Sequence, residues 1–314
     1  MGLKVKGYVL GAIAAATYGM NPLFALPLYS AGMTVDSVLF FRYLCAIPIL
    51  GLMIKLRGRS FAVSSKQFGA LVIFGFMMAL SSLMLFMSYK YMDAGIASTI
   101  LFVYPVMVAL IMATVFHEKA STLLICCMAL SISGIGMMYK SPESSSGASF
   151  SITGMVLVII SALTYAIYIV WVNKSSVKSL PTLVISFYVL LFGVILFAIR
   201  LCINGSIEYP SSDQWHLWLC ILASAVFPTV ISFVCTTSAI QYVGSTATAI
   251  LGSLEPVTAV VIGVSVFDEV LTPADLIGII MILTAVIMVV GGSSVPAAIM
   301  RIRRMFPRLP HKSV

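Results

Sequence analysis

Charge is what this sequence has least of: Asp, Glu, Lys and Arg make up 9% of its 314 residues, against 61% apolar. Soluble domains carry about a quarter of their residues charged, so a mean hydropathy of +1.12 excludes that class. Cysteines are few and unpatterned. All six, Cys45, Cys126, Cys127, Cys202, Cys220 and Cys235, fall inside apolar runs, which excludes a disulfide framework and a metal-ligand spacing. Catalytic motifs are missing too. "HEKAS" at His117 lacks the second histidine of a zinc-protease helix, and there is no Gly-x-Ser-x-Gly elbow. Neither an enzyme nor a cofactor or metal site is expected. Long polar stretches are also absent, the longest lying near 140–151 and 204–214 and in the basic tail. That leaves no soluble domain for a membrane scaffold or sensor to offer its partners.

What the sequence does contain is a series of apolar runs. A bilayer-spanning helix needs about 20 apolar residues, and ten such spans are predicted: 8–29, 35–54, 67–89, 94–116, 122–139, 152–172, 182–203, 215–240, 245–267 and 274–292. Barrel strands would alternate polar and apolar residues over about ten positions, so the fold class is an all-α integral membrane protein. A net charge of +8 raises the question of nucleic acid, and the distribution of charge answers it. With the amino terminus inside, the inner loops hold Lys4, Lys6, Lys55, Arg57, Arg59, Lys66, Lys119, Lys174, Lys178 and the cations of 301–312; the outer loops hold Lys90, Lys140 and Arg200. This positive-inside bias predicts cytoplasmic termini, with the tail against anionic lipid. The partners expected are the bilayer and a small-molecule substrate, with no nucleic acid. Lys4 and Lys6 before an apolar run resemble a signal peptide, but the run is long and nine more follow, so an uncleaved first helix is expected.

The sequence repeats itself. "GYVLGAIAAATY" (Gly7 to Tyr18) matches "GMVLVIISALTY" (Gly154 to Tyr165) at an offset of 147. "YPVMVALIMATVFHE" (Tyr104 to Glu118) matches "EPVTAVVIGVSVFDE" (Glu255 to Glu269) at 151. Two five-span halves follow, 1–140 and 152–293, joined by a loop at 141–151 and trailed by a basic segment, 294–314. Five is odd, so the second half starts on the opposite face and the repeat is inverted, an architecture in which substrate binds near the midplane between halves.

Interrupted spans at matching places point to such a site. Pro105 and Pro256 are that pair, and each should free the carbonyl four residues back, Leu101 and Gly252. Asn21-Pro22 and Pro228 add further breaks. Ser245, Thr248, Gly252, Glu255, Ala259 and Gly263 share roughly an 80° arc of helix; such a small, polar stripe serves close packing or lines a cavity. Glu255 lies roughly 15 Å into its span. An ionisable group at that depth is a functional candidate, able to exchange a proton or recognise a cation, or else to satisfy backbone amides or pair with Arg42. Arg42 itself lies about 9 Å inside span two, within reach of the headgroups. Tyr18 in span one and Tyr165, Tyr168 and Trp171 in span six offer polar-tipped rings for an amphipathic ligand, or interfacial anchors; span one also carries the amide of Asn21.

"SLEPVTAVVIGVSVFDEVLT" and its partner "FVYPVMVALIMATVFHEKAS" resemble the EamA family of the drug/metabolite transporter superfamily, as does "FFRYLCAIP" around Arg42. The resemblance implies a carrier of small metabolites, amino acids among them. It implies a cavity lined by spans 1, 3, 4, 6, 8 and 9 that includes Tyr104 and Glu255. Spans five and ten would be peripheral, leaving a monomer or a homodimer. Family members end the fourth and ninth helices in a short Gly-Glu loop, matched here by His117-Glu118 and Asp268-Glu269. Tyr104 occupies the place of Glu255, a departure that counts against a symmetric ion-coupling scheme.

Overall fold

A computed structural model describes residues 3–117, 122–139, 151–205, 207–243, 248 and 251–292. Glu118, Ser245 and the basic tail lie outside them. The described residues are helical and contain no strand. In order they form α1 (Leu3–Gly19), α2 (Asn21–Ser30), α3 (Val35–Leu56), α4 (Ser65–Ser88), α5 (Ala94–Leu101), α6 (Tyr104–Thr114), α7 (Thr122–Tyr139), α8 (Ile152–Lys174), α9 (Thr182–Asn204), α10 (Trp215–Ala225), a π-turn (Val226–Ile231), α11 (Ser232–Val243), α12 (Leu254–Val266) and α13 (Pro273–Gly292). Among the described residues seven helical segments are long and apolar enough to cross a membrane. Three shorter apolar helices, Ile125–Met138, Leu254–Val266 and Pro273–Met288, stand where spans five, nine and ten are predicted.

Local chemistry sets the ends. The Thr34 hydroxyl accepts from the Ser37 amide to start α3, and Ser64 forms a reciprocal box with Gln67 at the head of α4. Gly205, at φ 73°, closes α9 by donating its amide to the Leu201 carbonyl, a left-handed turn that a Cβ would disfavour. Large apolar side chains point outward on most helices, Leu52, Ile73, Ile132, Ile199 and Ile280 among them. An apolar exterior on this scale requires lipid.

Helices at matching places in the two halves pack on one another. Along α3 and α9, Asp36 meets Arg200 at 2.6 Å, Tyr43 packs edge-on to Phe197 at 5.4 Å, and Gly51 faces Phe187. Numbers rise on one helix as they fall on the other, so the pair is antiparallel. The same holds for α7 and α13, where Gly134 faces Ile282 and Gly278 faces Met138; a Cβ on Gly134 would stand 2.9 Å from the Gly278 carbonyl oxygen. Contacts between unlike positions come in mirrored sets: α1 on α11 and α8 on α4, α1 on α12 and α8 on α6.

Candidate functional site

Among the described residues four of the spans are broken, and each break lies where a proline predicts it. α1 stops at Gly19 and α2 resumes at Asn21-Pro22. α5 stops at Leu101, two turn residues intervene, and α6 starts at Tyr104-Pro105. Turn residues Gly252 and Ser253 precede α12, which opens Leu254-Glu255-Pro256. Pro228 falls within the π-turn, where one extra residue per turn is common at functional positions. Of the two carbonyls expected to lose partners, that of Gly252 accepts instead from the Glu255 amide at 2.9 Å, a tighter turn that compensates for the missing amide of Pro256.

The breaks meet around a cavity of 340 Å³, within the range of small-molecule sites. Tyr18, Tyr104, Tyr165, Tyr168, Thr248, Gly252 and Glu255 line it, as does Arg42. Tyr104 and Tyr165 pack edge-on at 4.8 Å between ring centroids, and Tyr165 stacks on Tyr168 at 6.0 Å. Together they make an aromatic wall with three hydroxyls. Trp171 does not join it. One turn further along α8, it is exposed and packs on Phe116 instead, as an aromatic at a membrane boundary does.

Asn21, Pro105 and Pro256 stand behind the lining rather than in it. Asn21 accepts at its Oδ1 from an Arg42 terminal nitrogen at 2.7 Å, while Arg42 Nε donates to Thr229 Oγ1 at 3.0 Å and the guanidinium lies 5.3 Å from the Phe86 ring centre. The guanidinium therefore neither reaches for the headgroups nor pairs with Glu255. Buried at 6% exposure, it spends its donors tying the break in the first span to the π-turn in the eighth. The Glu255 carboxyl has no hydrogen-bond or ion-pair partner among the described residues. It sits in the first turn of α12, where unpaired amides favour negative charge.

The small-residue stripe divides by height. Its lower members Thr248, Gly252 and Glu255 face the cavity, whereas Ala259 and Gly263 are buried against neighbours. Gly19 of α1 packs on the Glu255 carbonyl, Thr258 and the Ala259 amide. Lining also comes from spans that the family resemblance leaves out: Tyr43 and Leu50 on α3, Ser186 and Val189 on α9. Both helices reach the cavity because they pack together along their length. Thr229 is the residue that sequence reasoning misses, although its neighbour Pro228 marks the place.

Broken apolar helices converging on one partly polar cavity, between halves that pack by matching positions, define a multi-pass membrane transporter. More specifically, the chain belongs to the EamA-like transporter family, within the drug/metabolite transporter superfamily: residues 5–140 and 152–291 each match it. It is similar to the "Uncharacterized transporter sll1319" of Synechocystis sp. (strain ATCC 27184 / PCC 6803 / Kazusa), 28% identical over 213 residues. That alignment covers 66% of this chain and 62% of that protein, so the chain spans less than two thirds of the length of this curated relative. A solved crystal structure shares the fold at a TM-score of 0.63 and 16% identity, covering 96% of this chain and 99% of its own.

Proposed function

We propose that the protein is a secondary carrier that exports small metabolites, amino acids or other amphipathic molecules, by alternating access around the central cavity. Ten spans form two inverted halves in a bacterial cytoplasmic membrane, with both termini inside and the molecule a monomer or homodimer. The antiparallel pairing of α3 with α9 and of α7 with α13 supports inversion, and the basic loops support the orientation.

The observation that carries the reading is Glu255: a carboxyl facing the cavity at a helix break, with no protein partner among the described residues. Uncompensated charge at membrane depth is costly, so the group has work to do with a substrate or a proton. The test is flux through purified protein in liposomes under a pH gradient. Wild type is expected to move an amphipathic amino acid faster with the gradient than without it. Glu255→Gln is expected to lose that acceleration, about tenfold or more, at unchanged protein level. No flux in either direction from wild type refutes the carrier; unchanged gradient response in Glu255→Gln assigns the carboxyl to structure.

A further inference from the structure

The cavity is lopsided. Its lining runs from Arg42, Ser82 and Thr229 at mid-helix to Leu50, Ser186, Ile240 and Thr248, toward the face that holds the start of α1 and the end of α11. Past Arg42, toward the start of α3, the described residues pack closely, with Leu28, Leu39, Ile100 and Phe102 each at 1% exposure or less.

Glu269 stands at this close-packed end. Its loop carries Asp268 at φ 54°, a conformation rare for a residue with a side chain, and the Glu269 amide donates back to the Gly263 carbonyl at 3.0 Å. The turn sends the carboxylate across to the other half, where it accepts from the Ala94 amide at 2.8 Å and the Gly95 amide at 3.2 Å. Those are the first amides of α5, which a helix leaves unpaired. Asp93, in the capping position, makes no side-chain bond to them. The cap arrives from 175 residues away instead. Close fit holds it: the carboxylate rests on Gly263, and a Cβ on Gly95 would lie 3.0 Å from Glu269 Oε2.

α5 and α12 each lead to a break in the cavity wall, so whatever joins their far ends governs that side. We infer that Glu269 is the bolt of the closed end: this face opens only when its carboxylate releases the start of α5. Release leaves two amides and a buried carboxylate unpaired together, which makes the joint two-state rather than gradual. The inference rests on the carrier reading, but its test does not need flux.

Purified full-length protein in lipid nanodiscs exposes both faces to a maleimide. Ala97→Cys, fully buried at the closed end, and Ser186→Cys, on the cavity wall toward the other face, serve as reporters, each rate corrected for the six native cysteines. Glu269→Ala is expected to speed labelling at Ala97→Cys roughly tenfold or more and to slow it at Ser186→Cys; Glu269→Asp falls between. If Glu269→Ala does not fold, Gly95→Ala crowds the same carboxylate and is expected to act in the same direction. An unchanged rate at Ala97→Cys overturns the inference. So does a rise at both reporters, because that is a loosened fold and not an unbolted end. Flux with unmoved labelling removes the bolt and leaves the carrier; opposed labelling shifts without flux do the reverse.

Discussion

The breaks at Tyr104-Pro105 and Glu255-Pro256 are the same object twice in backbone and two different objects in chemistry. Each follows two turn residues, and each leads into a half-helix of 11 or 13 residues. Even the turns beyond agree, with His117 at φ 53° and Asp268 at φ 54°. At the cavity, one half offers a tyrosine ring packed on Tyr165 and the other a carboxyl with no partner among the described residues. Backbone symmetry suits the alternating access proposed above, while the site is free to be one-sided. Arg42 extends the asymmetry: Val189, 147 residues on, lines the same cavity without charge.

Three tests sharpen this contrast, in falling order of expected effect. Arg42→Ala strands Asn21 and Thr229, and bonds to a charged donor are worth about 1.5–3 kcal/mol each. Unfolding in detergent is expected to show a loss of about 3 kcal/mol, with no comparable loss from Val189→Ala; equal losses make the halves energetically alike. Next comes the closed end. Burial, then the neighbouring charges of Glu269 and Asp275, hold the Asp93 carboxyl up to about 7, and burial likewise raises Glu269 against the two amides that lower it. A carboxyl raised on folding stabilises below its ordinary range and loses that contribution as pH rises through the raised value. Melting temperature is therefore expected to fall by about 2–4 °C between pH 5 and pH 8, and Asp93→Asn to flatten the fall; a melting temperature that rises over this interval contradicts the assignment. The smallest effect belongs to Tyr104→Phe. It keeps the ring contact with Tyr165 and removes one hydroxyl, so flux is expected to change less than about fivefold. A loss as large as that of Glu255→Gln makes the two breaks chemically equivalent after all.

Much of this was legible in the sequence because proline and charge are loud signals in an apolar chain. Pro22, Pro105, Pro228 and Pro256 mark four breaks since a missing amide cannot be hidden where no water replaces it. Glu255 draws notice through the cost of its depth. The partners of Arg42 were not legible. Helical spacing speaks of neighbours along one helix, and Asn21 and Thr229 come to Arg42 from two others, 21 and 187 residues distant. Trp171 was open for the opposite reason: its spacing from Tyr168 is sound, but one more turn carries it past the end of the cavity and leaves it the boundary role. Glu269 was visible as a landmark of the family and mute about its role, since the amides it caps belong to the other half.

The π-turn at Val226–Ile231 has a consequence for how this chain tolerates insertions and deletions. A surplus residue there sets the phase of everything downstream in the eighth span. With it, Ser232 and Thr236 look inward; a regular coil would swing both by about 100° and take them off the cavity wall. Losing a single codon in this stretch would repaint one wall of the chamber without altering any side chain on it.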